Sequence, residues 1–143
     1  MDGSMDKRDM IVTIDGPAGS GKSTTASLLS ERLGFIYLDT GAMYRAVTWA
    51  ALSRGIDPED ETAVSAIAGD IDIDFRDTAS GQTLILDGKD VGREIRTMEV
   101  SSAVSPVSRY MGVRKAMVRL QRKLASGGGV VAEGRDTGST VFP

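Results

Sequence analysis

The sequence feature that most constrains the fold is GPAGSGKS, residues 16–23, which lies between two short apolar segments. Its three glycines would each weaken the interior of a helix or strand, so packing explains them poorly. The stretch matches G-x-x-x-x-G-K-[ST], a loop whose backbone N–H groups surround phosphates when a strand precedes it and a helix follows. Residues 10–14 (MIVTI) are a β-branched apolar run, and residues 22–33 have helical apolar spacing before Gly34. We therefore predict a strand, a phosphate-binding loop and a helix, in that order.

Two further short apolar runs predict the other strands of a parallel sheet. Residues 35–38 (FIYL) follow the first helix, which makes a βαβ unit, and residues 130–132 (VVA) form a third buried strand. Between them, residues 70–96 alternate apolar and polar side chains, and Asp87-Gly88 is a hairpin signal. This region is predicted to be a small antiparallel insert; the alternative is an irregular surface loop.

Helical spacing predicts the remaining elements. Residues 42–54 carry one apolar stripe. Asp57-Pro58 is typical of an N-cap followed by the first residue of a helix, which would run to about residue 68. Residues 97–125 are helical again, and Ser105-Pro106 predicts an interruption at which a new helix begins with Ser105 as its cap.

Composition excludes several classes of chemistry. The 143 residues contain no cysteine and no histidine, which excludes thiol nucleophiles, thiolate or histidine metal sites, and Ser-His-Asp hydrolysis. Phosphoryl transfer fits the remaining side chains, because it depends on positioning and charge neutralisation. The net charge of −3 argues against a general nucleic-acid surface. No apolar run reaches the length of a membrane span or forms a signal peptide.

Four residues in or next to this motif are predicted to bind the phosphates and the metal ion. Lys22 would bridge the β- and γ-phosphates, and the Ser23 hydroxyl would bind Mg²⁺ directly. Asp15 ends the first strand and Glu133 ends the third, and either could bind Mg²⁺ through water. The loop alone does not distinguish a GTPase, an ATPase and a kinase.

A second motif, DTGAMYR at residues 39–45, follows the second strand at the edge where α/β proteins bind ligands. With EIRTMEVSSAVS, VRKAMVRLQR and EGRDTGSTVFP further along, the sequence resembles bacterial cytidylate kinase (CMP kinase) over residues 10–143. The resemblance implies an α/β fold: a P-loop NTPase-type parallel sheet core with helices on both faces, and a small antiparallel β insert as the monophosphate-binding domain. It also implies transfer of the γ-phosphoryl group of ATP to CMP or dCMP, with Mg²⁺ as cofactor.

The resemblance assigns residues to both nucleotides. The ATP-binding positions lie in the loop and the first helical turn: Gly16, Pro17, Ala18, Gly19, Ser20, Gly21, Lys22, Ser23 and Thr24. The CMP-binding positions are Thr40, Arg45, Ser105, Arg114, Arg135 and Asp136. Lys22, Arg45 and Arg135 would be the catalytic cations, the two arginines holding the acceptor phosphate. Ser105, Arg114 and Asp136 would read cytosine, because its amine and its acceptors complement a carboxylate and an arginine.

Simpler structural roles for the predicted site residues also remain open. Arg45 and Arg114 could be solvated helix charges, Ser105 could be only a helix cap, and Asp136 could be a turn residue. The chain could also be a P-loop kinase for another small acceptor, or a non-catalytic nucleotide-binding module.

The resemblance is to the N-terminal part of a longer enzyme, in which two more strands and an arginine-bearing lid follow. We expect a sheet in which the third strand lies between the first two, and little turnover from residues 1–143 alone. Residues 1–9 would be a disordered tail or cloning scar, residues 10–69 with 97–143 the incomplete kinase core, and residues 70–96 the insert. Helices within 97–125 would line the acceptor site. The implied protein is a cytoplasmic monomer with no nucleic-acid or membrane partner.

Overall fold

The structure, a computed structural model, describes residues 11–15, 22–79, 81–126 and 129–134. Its internal contacts divide the chain into two units. The first unit combines Met1–Thr40 with Gln121–Pro143, and the second is the continuous segment Gly41–Leu120. In the described part of the chain, no helix is long and apolar enough to span a bilayer.

The first unit contains a parallel sheet of three strands. These are β1 (Ile11–Asp15), β2 (Ile36–Asp39) and β6 (Val130–Gly134), in the order β1-β6-β2. The last strand therefore lies between the first two, which confirms the predicted order. Ile11 and Ile36 are both in register with Val130, so the three strands point the same way and end at one edge.

Helix α1 (Lys22–Leu33) connects β1 to β2 with the bounds that the sequence predicted. It ends at Gly34, which has a φ of +67°. The N–H of Phe35 donates to the Ser30 carbonyl at 2.9 Å, and the N–H of Gly34 donates to the Glu31 carbonyl at 3.3 Å. These two bonds are the Schellman pattern, in which a left-handed glycine lets the chain leave the helix.

The second unit contains most of the helical structure. Its helices are α2 (Thr40–Ser53), which begins at the boundary, α3 (Glu61–Asp70), α4 (Met98–Val107) and α5 (Met111–Leu124), which ends beyond it. The apolar stripe predicted for α2 is buried: Met43, Ala46, Val47, Ala50 and Ala51 are each at most 2% exposed. The stripe of α5 is buried at Val113, Met117 and Leu120.

The predicted antiparallel insert is a three-stranded sheet. It consists of β3 (Ile73–Thr78), β4 (Gly81–Leu86) and β5 (Lys89–Asp90), in the order β3-β4-β5. Asp87 and Gly88 connect β4 to β5 with φ values of 49° and 85°. Two successive residues with positive φ are what the favoured two-residue hairpin turn requires.

Two side chains, one from α2 and one from the residue that follows it, contact this hairpin within the second unit. The Lys89 ammonium lies 5.1 Å from the centre of the Trp49 ring, a distance that allows a cation–π interaction. The carboxylate of Asp87 lies 4.0 Å from the guanidinium of Arg54, and both side chains are close to half exposed. Such exposed ion pairs contribute little stability.

The predicted helix start at Asp57-Pro58 is wrong. Helix α3 begins at Glu61, and its N-cap is Asp60, whose carboxylate accepts the N–H of Ala63 at 3.1 Å. Asp57 instead forms a turn, since its side chain accepts the N–H of Glu59 at 2.9 Å and its carbonyl accepts the N–H of Asp60. Both aspartates are good capping residues, and the second one is followed by the helix.

The predicted interruption at Ser105-Pro106 is also displaced. Both residues lie in the last turn of α4, whose N-cap is Thr97, and the chain leaves helical geometry only after Val107. Proline lacks the N–H that would bond one turn back and disrupts the turn before it, and α4 ends one residue after Pro106. Ser105 is therefore not the N-cap of a new helix.

Candidate functional site

The predicted phosphate loop, residues 16–21, lies outside the described residues, but both of its flanks are described. Strand β1 ends at Asp15, and α1 begins at Lys22. The first turn of α1 contains Ser23 and Thr24 and no acidic residue. The free N–H groups and the dipole at this end of a twelve-residue helix therefore favour an anion. The strand-and-helix context that the loop pattern requires is present.

Acidic residues occupy the carboxyl edge of the parallel sheet. Asp15 is the last residue of β1 and pairs with Gly134, while Glu133 pairs with both Ile14 and Asp39. The two acids predicted for magnesium thus come from adjacent strands, and Asp39 of β2 adds a third that the sequence analysis did not assign. Carboxylate and hydroxyl oxygens are the ligands that Mg²⁺ prefers, so Asp15, Glu133 and Ser23 are residue types that suit this ion, and the magnesium site stays a prediction.

Helix α2 carries two of the predicted acceptor-binding residues. It follows β2 without a loop, so that Thr40 is its first residue. Thr40 is buried, at 7% exposure, whereas Arg45 is exposed. Among the residues that the structure describes, no carboxylate forms an ion pair with Arg45. An arginine fixed on a helix and open to solvent can bind a dianionic phosphate with its fork of N–H groups.

The structure brings Ser105 and Arg114 into one hydrogen-bonded segment of the second unit. Ser105 is exposed in the last turn of α4, and Arg114 is half-buried in the first turns of α5. The Ser108 hydroxyl donates to the carbonyl of Ser105 at 2.8 Å. The Ser108 carbonyl in turn accepts a longer bond, 3.4 Å, from the guanidinium of Arg114. The two residues predicted to read a base are therefore connected through a single intervening residue.

Two other predicted site residues, Arg135 and Asp136, lie outside the described residues. Strand β6 ends immediately before them, at Gly134.

Comparison with known proteins gives the family. A family model described as cytidylate kinase matches residues 12–143. The chain belongs to the cytidylate kinase family. This confirms the resemblance drawn from the DTGAMYR and EGRD motifs, and with it the α/β fold class of a P-loop kinase.

Curated members of the cytidylate kinase family are similar to nearly all of this chain. A cytidylate kinase of Pelotomaculum thermopropionicum is 53% identical over 92% of this chain and 59% of its own length. One from Limosilactobacillus reuteri is 49% identical over 92% of this chain and 58% of its own. A bifunctional pantoate ligase/cytidylate kinase of a Synechococcus species is 47% identical over 95% of this chain and 28% of its own. The chain thus spans about 59% of the length of the Pelotomaculum thermopropionicum cytidylate kinase.

The sequence analysis of this cytidylate kinase family member missed Ser108 and Tyr110, which organise the link between α4 and α5. The Tyr110 hydroxyl donates to the Pro58 carbonyl at 2.8 Å, which fixes the start of α5 to the turn before α3. Partial desolvation raises the pKa of Tyr110, and the carboxylates of Glu59 and Glu61 raise it further. A single tyrosine between two helices gives no periodic signal, so only the three-dimensional contact reveals its role.

Hydrogen bonds stabilise one charged side chain on the antiparallel sheet. Asp90 accepts the Thr83 hydroxyl at 2.7 Å and the N–H of Gly92 at 2.9 Å. These bonds, the Thr83 bond first, lower the pKa of the Asp90 carboxyl below its ordinary value, because they favour the ionised form. Asp90 is thus a structural anion of the sheet, held charged at neutral pH.

Proposed function

We propose that the protein is a cytidylate kinase, which transfers the γ-phosphoryl group of ATP to CMP or dCMP. The observation that carries this proposal is the Ser105–Ser108–Arg114 hydrogen-bonded segment in the same unit as the exposed Arg45. It supplies a hydroxyl and a guanidinium for a base, and a separate guanidinium for a phosphate. The strand–loop–helix sequence around GPAGSGKS supplies the donor site in the other unit.

Charge neutralisation would supply most of the catalysis. Lys22 and the N–H groups of the loop would hold the donor phosphates, and Arg45 with Arg135 would hold the acceptor phosphate. A bound Mg²⁺, held by Ser23 and through water by Asp15 or Glu133, would neutralise charge between the β- and γ-phosphates. We assign no residue as an obligatory proton acceptor, because positioning and charge neutralisation dominate in phosphoryl transfer. Alignment of the two substrates is the main requirement.

Base selection would depend on Ser105, Arg114 and Asp136. Cytosine presents an amine donor next to two acceptors, whereas uracil presents a carbonyl and an N–H at the corresponding edge. A carboxylate accepts from the amine and an arginine donates to the acceptors, so the pair favours cytosine. A site that leaves a buried polar group unpaired with the wrong base discriminates strongly.

The direct test is a panel of nucleoside monophosphates assayed with ATP and Mg²⁺ on the full-length chain. CMP and dCMP should give the highest kcat/KM. Equal or better use of AMP, GMP or a non-nucleotide acceptor would contradict the substrate assignment and favour another P-loop kinase. Tight nucleotide binding without turnover of any acceptor would favour a non-catalytic nucleotide-binding module.

Two substitutions should separate the donor site from the acceptor site. Arg114→Ala should raise the KM for CMP about tenfold or more, because a charge-assisted hydrogen bond is lost, and should leave the KM for ATP nearly unchanged. Lys22→Ala should instead weaken ATP and lower kcat. Lys115→Ala is the matched control for Arg114, since it removes an exposed cation from the next position of α5. If Lys115→Ala affected CMP as strongly as Arg114→Ala, general electrostatic attraction would account for the result.

A further inference from the structure

The end of α4 leaves one backbone carbonyl without its helical partner. In a continuing α-helix the N–H of Arg109 would donate to the carbonyl of Ser105, four residues earlier. Here the N–H of Arg109 donates to Pro106 at 3.0 Å, and the N–H of Tyr110 donates to Val107 at 3.3 Å. The chain has tightened to bonds between residues three apart, so the Ser105 carbonyl needs another donor.

Ser108 supplies that donor and makes two further bonds. Its hydroxyl donates to the Ser105 carbonyl at 2.8 Å, and its own N–H donates to the Val104 carbonyl at 3.0 Å. With its backbone fixed in this way, its carbonyl accepts the guanidinium of Arg114 at 3.4 Å.

We propose that Ser108 is a positioning residue for base recognition, an inference that rests on the proposed function. Its hydroxyl holds the last turn of α4, which carries Ser105, and its carbonyl orients Arg114 on the following helix. One residue that is not among the predicted base-reading groups is therefore hydrogen-bonded to both residues that carry them. Loss of the hydroxyl frees the turn and loosens both groups together, while the chemical groups that contact the base remain present.

The test compares Ser108→Ala with Ser108→Thr in the full-length chain. Ser108→Ala should raise the KM for CMP about three- to tenfold, the effect expected from one lost neutral hydrogen bond, and kcat should stay within about twofold. The ratio of kcat/KM for CMP over UMP should fall by a similar factor. Ser108→Thr keeps a hydroxyl and should restore both values. Ser101→Ala, which removes an exposed hydroxyl from the same helix, is the control and should leave both unchanged.

A second comparison asks whether Ser108 acts through Ser105. In a Ser105→Ala background, Ser108→Ala should still lower the CMP-to-UMP ratio, but by a smaller factor than in the wild-type background, because only Arg114 remains to be displaced. An equal factor in both backgrounds would show that Ser108 does not act through Ser105. CMP affinity measured by calorimetry gives the same readout without turnover.

Several outcomes would overturn the inference. If Ser108→Ala left the preference for CMP over UMP unchanged, the positioning role would be refuted and the proposed function would stand. A lower denaturation midpoint with unchanged KM and unchanged base ratio would show that Ser108 is merely structural. A wild-type enzyme that shows no preference for CMP would instead refute the proposed function itself.

Discussion

Substitution of Gly112 by alanine should destabilise the protein, although alanine is the better helix former. Gly112 lies in the first turn of α5, where α3 approaches closely. A Cβ atom added at Gly112 would lie 2.6 Å from the Oγ and 2.7 Å from the Cβ of Ser65. The Ser65 Cβ is bonded to the backbone and cannot rotate away, so the two helices would have to separate.

The magnitude follows from two opposing effects. Replacing a helical glycine by alanine stabilises a helix interior by about 1 kcal/mol. Overpacking a close contact costs about 1–3 kcal/mol. We expect a net loss of about 1 kcal/mol in the free energy of unfolding for Gly112→Ala, since the overlap involves a Cβ atom and not a flexible side-chain end.

Gly69 provides the matched control. It is also helical, near the end of α3, and a Cβ added there would meet no atom within 4 Å. Gly69→Ala should therefore stabilise the protein by about 0.5–1 kcal/mol. Urea unfolding of the two variants should then differ by about 2 kcal/mol, in opposite directions from the wild type.

The Ser65→Gly background tests the proposed cause. Removal of the Ser65 side chain should make Gly112→Ala neutral or stabilising relative to Ser65→Gly alone. If Gly112→Ala stabilised the wild-type protein as much as Gly69→Ala does, the close approach of α3 and α5 would not be a constraint in solution, and the reasoning would fail.

Two predictions concern pH. The lowered pKa of Asp90 adds stability that is present above pH 3.8, the ordinary value, and is lost as pH falls through the folded-state pKa. Asp90→Asn should therefore flatten the acid limb of the denaturation midpoint against pH; an acid limb identical to that of the wild type would contradict this assignment. The raised pKa of Tyr110 acts in the opposite direction, because its stability is present below pH 10.0 and is lost as pH rises through the folded-state pKa. Tyr110→Phe should lower the midpoint at neutral pH, since the bond to Pro58 is lost, and should reduce the decline above pH 10.0; an unchanged midpoint would show that this bond does not stabilise the fold.

Sequence rules for caps and turns predicted the elements at which only one cap or turn signal is present. Helix α1 was predicted with its exact bounds because a glycine at a left-handed φ ends it. The β4–β5 turn was predicted because Asp87-Gly88 suits positive φ at both positions. At residues 57–60 two aspartates could each cap a helix, and sequence alone did not decide between them. At Ser105-Pro106 the helix that begins at Met98 continues through the proline to Val107, so the local preference of proline for a helix start did not fix the boundary.

The candidate site was predictable where its residues belong to motifs. GPAGSGKS and DTGAMYR identify their residues by pattern, and the structure provides the strand and helix flanks that those patterns require. Ser108 could not be found in this way, because its importance comes from a carbonyl left without a donor at the end of α4. Asp39 is part of a motif, but its alignment with Glu133 depends on strand register, which short apolar runs do not specify.

The position of β6 has a consequence for how the molecule is made. Strands β1 and β2 each pair with β6, and the entire Gly41–Leu120 unit is synthesised between β2 and β6. That unit is continuous in sequence, so all of its residues leave the ribosome before β6 does. The parallel sheet cannot close until Val130–Gly134 has emerged, because its central strand is translated last among the three. Hydrogen-exchange protection should therefore appear in the Gly41–Leu120 unit before it appears in the parallel sheet.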